Sequence, residues 1–301
     1  SLWFHFRLVE SEPRPERQTR VRLVWKYFES VLGGSDLAAV RPVFQPVGHT
    51  WLRLKQCEEI RLPDGRRELA WQMPYPAPAT DVAFCFPYGA ADLQGLIQRH
   101  SDYWRSDAIG ISQGGRRLER LSNGMGEPGG RQPGIYLVAR QHAGETPGSW
   151  VLDGFLQHLA KSRKGGYVVW AVPFADIDGV AEGAYGKDRY PYDLNRAWSL
   201  PAMRHEVHLI QQDMRRWASR CRPILALAQS NAAAATVERF AIGLTVPPDD
   251  PGAIAAALRD MMRRHAGGVA WPGFDEARRH FDRRTLTASL AALFDEVLRA
   301  P

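Results

Sequence analysis

An apolar, β-favouring run that ends in a histidine and a glutamate three residues apart constrains this 301-residue chain most. Ile135-Tyr136-Leu137-Val138-Ala139 reads as a strand buried on both faces, as in a sheet covered by helices. Arg140-Gln141-His142-Ala143-Gly144-Glu145 follows, and after it a helix from Thr146 to around Leu159. Thr146 suits the cap and Pro147 the first helical position, while Val151, Phe155 and Leu159 recur every four residues. His142 and Glu145 thus leave the carboxyl end of a strand, where open α/β sheets place their chemistry. An imidazole and a carboxylate at that spacing can hold one Zn²⁺ from a single turn, provided a third ligand and an open position exist. Taken alone, H-x-x-E is also a common pattern of surface polar residues.

A second motif follows a strand expected at Tyr167–Val172 and the turn Asp176-Ile177-Asp178-Gly179-Val180. It reads Tyr192-Asp193-Leu194-Asn195-Arg196-Ala197-Trp198. In this order and spacing, H-x-G-E, x-x-D-G-V and D-L-N-R-x-W resemble the zinc metallocarboxypeptidases of the carboxypeptidase A type. The longer string from Gln141 to Trp150 is similar to the H-P-G-E-T-P-G-S-W of their cytosolic carboxypeptidase branch. The resemblance implies that His142 and Glu145 are the first two zinc ligands. It implies that Asn195 and Arg196 hold the free C-terminal carboxylate of a peptide. A guanidinium offers paired donors matched to a carboxylate, and an amide adds a neutral one. Lys187 follows Gly186, a position where the branch often carries an arginine. Its charge can polarise the scissile carbonyl or pair with a substrate carboxylate, and it reads equally as a surface lysine.

Two parts of the family pattern are missing. The third zinc ligand is expected from a D-x-H at the end of a later apolar strand. Pro223-Ile224-Leu225-Ala226-Leu227 fits that strand but runs into Ala228-Gln229-Ser230-Asn231. Gln229 is a poor zinc ligand beside imidazole or carboxylate. His265 and His280 lie in charged helical stretches and read as solvated. His205 and His208, one helical turn apart, can bind metal in principle but sit too close to the substrate-binding turn. The general-base glutamate, which activates water beside the metal in this family, is expected on a strand near the C-terminus. A helix over residues 284–298 precedes its expected place, and the sequence stops there; Glu238 comes too soon after Leu227 and reads as structural. The chain is therefore either a degenerate carboxypeptidase or one whose remaining parts lie elsewhere.

Residues 1–90 read as short strands separated by Pro and Gly turns. Candidates are Trp3–Val9, Val21–Tyr27, Thr50–Leu54, Glu58–Leu62, Glu68–Gln72 and Val82–Phe86, which suggest a small antiparallel β-sandwich. From residue 91 to 301, helices and apolar strands alternate, so the expected fold class is α/β. A mixed, largely parallel sheet flanked by helices is expected there, carboxypeptidase-like on the resemblance. The N-terminus reads as a strand and not as a signal peptide, and no apolar run reaches membrane-span length. Three scattered cysteines argue against a disulfide framework and fit a reducing cytoplasm. The net charge of +6 favours anionic partners, with no motif for specific nucleic-acid recognition.

The resulting expectation is a cytoplasmic, zinc-dependent metallocarboxypeptidase that acts on peptide or protein C-termini, with acidic residues favoured. A pseudo-peptidase that binds C-terminal tails without cleavage is the alternative from another class. A zinc amidohydrolase of small acylated acids shares most of the same site. The oligomeric state is not legible.

Overall fold

The computed structural model describes residues 3–10, 20–28, 40–74, 78–163, 166–187, 192–198, 201–223 and 250–267, with single positions at 244, 246, 272, 273 and 276. The chain divides into two compact units. One comprises residues 1–125, 137–165 and 169–216; the other comprises 126–136, 166–168 and 217–301.

The first unit opens with seven strands: β1 (His5–Val9), β2 (Arg20–Trp25), β3 (Val43–Pro46), β4 (Leu52–Arg53), β5 (Glu58–Arg61), β6 (Arg67–Pro74) and β7 (Ala79–Ala83). They form two antiparallel sheets, ordered β1-β7-β3-β4 and β2-β6-β5. Alternation drives the pairing: Val21, Leu23 and Trp25 of β2 turn inward, while Arg20, Arg22 and Val24 face water. Phe44 and Val82 of one sheet share a core with Leu69, Trp71 and Met73 of the other, joined by Phe28 and Leu54. Each of the six expected strands has a counterpart. β3 was not expected, because Pro42 and Pro46 flank so short an apolar run.

The remaining elements are α1 (Ala90–Arg99), β8 (Arg105–Ile111), β9 (Arg117–Ser122), β10 (Pro133–Val138), α2 (Thr146–Ser162), β11 (Val168–Val172), α3 (Ile177–Glu182), α4 (His205–Ala218), β12 (Arg222–Pro223) and α5 (Pro251–Ala266). Every residue of β11 is buried, as in a strand covered on both faces. β9 pairs antiparallel with β11 on one side and with β8 on the other. The end of β10 lies beside β11, with Ala139 N–H donating to the Val172 carbonyl at 3.0 Å and Asp176 N–H to the Arg140 carbonyl at 2.9 Å. Those bonds advance together along both chains, so the two strands run parallel, as a helical crossover requires. In the second unit the start of β10 pairs parallel with β12.

The sheet of the first unit is mixed: β10 and β11 run parallel, and β11, β9 and β8 antiparallel through the β8–β9 hairpin. β8 is polar and mostly exposed, so no apolar run announces it. α2 corrects an expectation, because its buried stripe is Ser149, Leu152, Leu156 and Leu159, and Val151 is 74% exposed. The residues expected over 224–243 and 277–301, including Gln229, Glu238, His280 and the helix 284–298, lie outside the described residues. No helix of the described residues is long and apolar enough to cross a membrane.

Two buried ionic groups brace the first unit. Arg120 on β9 is 2% exposed; it lies over the Trp170 ring of β11 at 3.8 Å and donates to Asp213 of α4 at 3.0 Å. Asp178, in the first turn of α3, accepts from Ser112 Oγ at 2.7 Å, Gly114 N–H at 2.7 Å and Arg116 Nη1 at 2.9 Å. It thereby ties the β8–β9 turn to α3. Burial alone would raise the Asp178 carboxyl, but those three bonds and the Arg116 charge outweigh it and hold the group below its ordinary value. A lowered carboxyl stabilises the fold above its unfolded value of about 3.9 and loses that contribution as pH falls through the lower folded value. Asp178→Asn is expected to cost about 1–3 kcal/mol at pH 7. In urea titrations the gap between wild type and variant should narrow below pH ~4; a gap independent of pH would remove the ionic account.

Candidate metal centre

The loop after β10 is shaped by a buried arginine. Arg140 has φ +58°, a left-handed conformation that non-glycine residues hold only when their surroundings fix it. Here the side chain does the fixing. Nε donates to the Ala143 carbonyl at 2.7 Å, and Nη1 donates to the Tyr88 carbonyl at 2.8 Å and to Ser149 Oγ at 3.2 Å. Nη2 also contacts the Ala143 carbonyl, and the guanidinium packs over Phe174. Burial pulls its pKa down to about 10, so it remains cationic at neutral pH. The helix start differs from the sequence expectation: Glu145 occupies the cap, and the Thr146 hydroxyl donates to the Phe86 carbonyl at 2.8 Å.

The loop is also pinned from the side. Gly144 N–H donates to the Tyr185 carbonyl at 2.9 Å. A side-chain carbon at Gly144 would lie 2.9 Å from Trp3 Cβ, so the N-terminal segment presses directly on the turn. Gly186 has φ +107°, and a Cβ there would stand 2.5 Å from Ala143 N and 2.8 Å from His142 Cα. The two loops meet backbone to backbone at His142.

His142 is 4% exposed and lies between two carboxylates. Nδ1 is 2.9 Å from Glu145 Oε1, and Nε2 is 2.9 Å from Asp193 Oδ1. A neutral imidazole has one N–H, so it can donate to only one of these carboxylates. At the other nitrogen, lone pair faces lone pair. A cation set between that nitrogen and its carboxylate would relieve the contact. The donor types suit zinc, an imidazole nitrogen and a carboxylate oxygen; sharing one tetrahedral Zn²⁺ they would stand roughly 3.3–3.5 Å apart, so the 2.9 Å contact would have to open by about half an ångström. A carboxylate on the far ring nitrogen is the usual means of orienting a metal-binding histidine.

Asp193 was given no role in the sequence reading, although it lies within D-L-N-R. Its Oδ1 also accepts from Asn195 N–H at 2.8 Å, capping the 3₁₀ turn Leu194–Arg196. Trp198 Nε1 donates to Gln141 Oε1 at 2.7 Å, a second tie between the two motifs. Asn195 and Arg196 are both exposed on this turn. Lys187 Nζ is 3.8 Å from Glu145 Oε1 and 5.4 Å from the Tyr185 ring centroid. Tyr185 first, and then the Glu145 and Asp193 carboxylates, hold its ammonium above the ordinary lysine value. All five residues singled out from sequence therefore belong to one neighbourhood or to the turn that borders it. His205 and His208 are exposed on α4, with His208 Nε2 2.8 Å from Gln212 Nε2. Among the described residues, no group of three His, Cys, Asp or Glu side chains is placed to hold a metal ion.

No family model matches the chain. Human cytosolic carboxypeptidase 6 is 28% identical over 221 residues, which cover 67% of this chain and 43% of that protein. Mouse cytosolic carboxypeptidase 1 is 40% identical over 76 residues, 23% of this chain and 6% of that protein. A solved putative carboxypeptidase A from Shewanella denitrificans matches with a TM-score of 0.56 at 24% identity, over 71% of this chain and 56% of its own. A metallo-carboxypeptidase from Pseudomonas aeruginosa matches with a TM-score of 0.55 at 19% identity, over 82% and 72%. The chain is similar in sequence to the cytosolic carboxypeptidases. It spans less than half the length of the first of these curated relatives, and its fold is carboxypeptidase-like.

The sequence resemblance sets an arginine at the position where this chain has Gly186. The close approach at His142 explains why no such side chain fits here: its Cβ, not its length, is excluded. Gly186→Ala and Gly186→Arg should therefore lower stability alike, by about 1–3 kcal/mol. Thermal melts of the two variants test this; an arginine variant as stable as wild type would show that the loops separate freely.

Proposed function

We propose that this chain belongs to a zinc-dependent, cytoplasmic carboxypeptidase that removes the C-terminal residue of peptides or proteins. The observation that carries this reading is His142 set between the Glu145 and Asp193 carboxylates, 2.9 Å from each. His142 and Glu145 would be two of the metal's ligands. When bound, the ion would supply Lewis-acid polarisation of the scissile carbonyl and activation of a water.

The chain's own groups do the rest. Asp193 holds the proton on His142 Nε2 and so keeps the Nδ1 lone pair directed at Glu145. Asn195 and Arg196, exposed on the adjoining turn, grip the substrate's terminal carboxylate and impose exopeptidase action. Lys187 adds a positive charge beside Glu145. With the net charge of +6, these cations favour acidic C-terminal residues. In this reading residues 1–90 form the small β-domain and residues 91–301 the zinc carboxypeptidase-like domain, with peptide C-termini as partners and neither specific nucleic acid nor membrane.

Zinc content, measured with release of C-terminal residues from a peptide pool before and after chelation, tests the reading. About one zinc per chain and chelator-sensitive trimming is the expected result. No zinc and no trimming, with the fold intact, would leave a binder of C-terminal tails. Arg196→Met should reduce kcat/KM roughly 100-fold, corresponding to about 2.7 kcal/mol. An unchanged kcat/KM would remove Arg196 from the clamp.

A further inference from the structure

We propose that Arg204 is the positioning residue of the His142 centre, acting through the backbone that carries Asp193; the inference rests on the metal reading above. Asp193 is half-buried at the start of a short capped turn, Leu194–Arg196, which is anchored from behind by the fully buried Leu194 and Ala197. Those anchors and the Trp198–Gln141 bond hold the turn on the C-terminal side of Asp193; the backbone on its N-terminal side needs a partner of its own. Immediately before it, the Tyr192 carbonyl accepts from Arg204 Nη1 at 2.9 Å. The Tyr192 side chain is 41% exposed, so its carbonyl is held from within while its ring lies outside.

Arg204 has the rigidity this role needs. It is 2% exposed, and its Nε and Nη2 are each 3.2 Å from Glu206 Oε2, a fork on one carboxylate oxygen. Glu206 is fully buried and fixed in turn by Gln113 N–H, which donates to Oε1 at 3.0 Å. Nη2 also faces Asp176 Oδ1 at 3.9 Å, and Asp176 N–H donates to the Arg140 carbonyl at 2.9 Å. One guanidinium therefore references the Tyr192–Asp193 backbone to the residue that shapes the His142 loop. It reaches neither His142 nor a substrate, so it acts by placement. A planar fork with five donors is suited to this, and a lysine is not.

Zinc affinity by chelator competition, together with the ¹⁵N imidazole spectrum of the metal-free full chain, tests the proposal. The His142 signal is identified by its loss in His142→Gln. Arg204→Lys should weaken zinc binding 10- to 100-fold, the usual effect of losing outer-shell support. It should also replace a single His142 tautomer by exchange between two. Asp193→Asn should give a similar loss, and the double variant little more, because both changes break one connection. Arg204→Met/Glu206→Gln removes both charges of the buried pair and should behave like Arg204→Lys, which guards against a variant that fails to fold. A lowered melting temperature with zinc affinity within twofold of wild type and an unchanged tautomer would make Arg204 merely structural and overturn the proposal. If the wild type takes up no zinc, the metal reading fails, and the metal-free imidazole spectrum still decides the role of Arg204.

Discussion

The loop that carries His142 exists in its observed shape because a cation is buried beneath it. Placing a guanidinium at 6% exposure is unfavourable unless its donors are satisfied, and Arg140 meets that condition by drawing in the Ala143 and Tyr88 carbonyls. The same bonds hold its backbone at φ +58°, and that turn directs the chain from the end of β10 toward the imidazole. Without the charge, the carbonyls lose their partner and the left-handed turn loses its support together. The position of His142 is thus a by-product of satisfying Arg140.

A second layer of buried charge surrounds the first. Asp176, Arg204 and Glu206 are each at most 2% exposed, and each is tied to a different stretch of chain. Buried ion pairs add little net stability compared with apolar packing, but breaking one partner is costly. Such a network suits a site assembled from loops, since it penalises small displacements more than it rewards assembly. The neighbouring apolar core, with β11 buried throughout, supplies the stability that these charges do not.

Sequence reading reached the parts of this molecule that repeat at short range. His142 and Glu145 at a strand end, the Asp193–Trp198 turn and the early strands were all visible as local patterns. What escaped depended on distant partners. Asp193 could not be assigned a role until His142 was seen opposite it, and Arg204 is an ordinary arginine unless the Tyr192 carbonyl is known to face it. The stripe of α2 was misplaced for the same kind of reason. Val151 and Phe155 have the right period, yet packing selects Leu152 and Leu156, one residue further along. The polar β8 strand had no periodic signal, because an edge strand has one neighbour and much water.

Trp3 stands against Gly144, inside the loop that bears both candidate ligands. Trp3, two residues before β1, is therefore part of the wall of the site. Any change at that tryptophan therefore acts on the geometry of His142 and Glu145 from a sheet that contributes neither ligand.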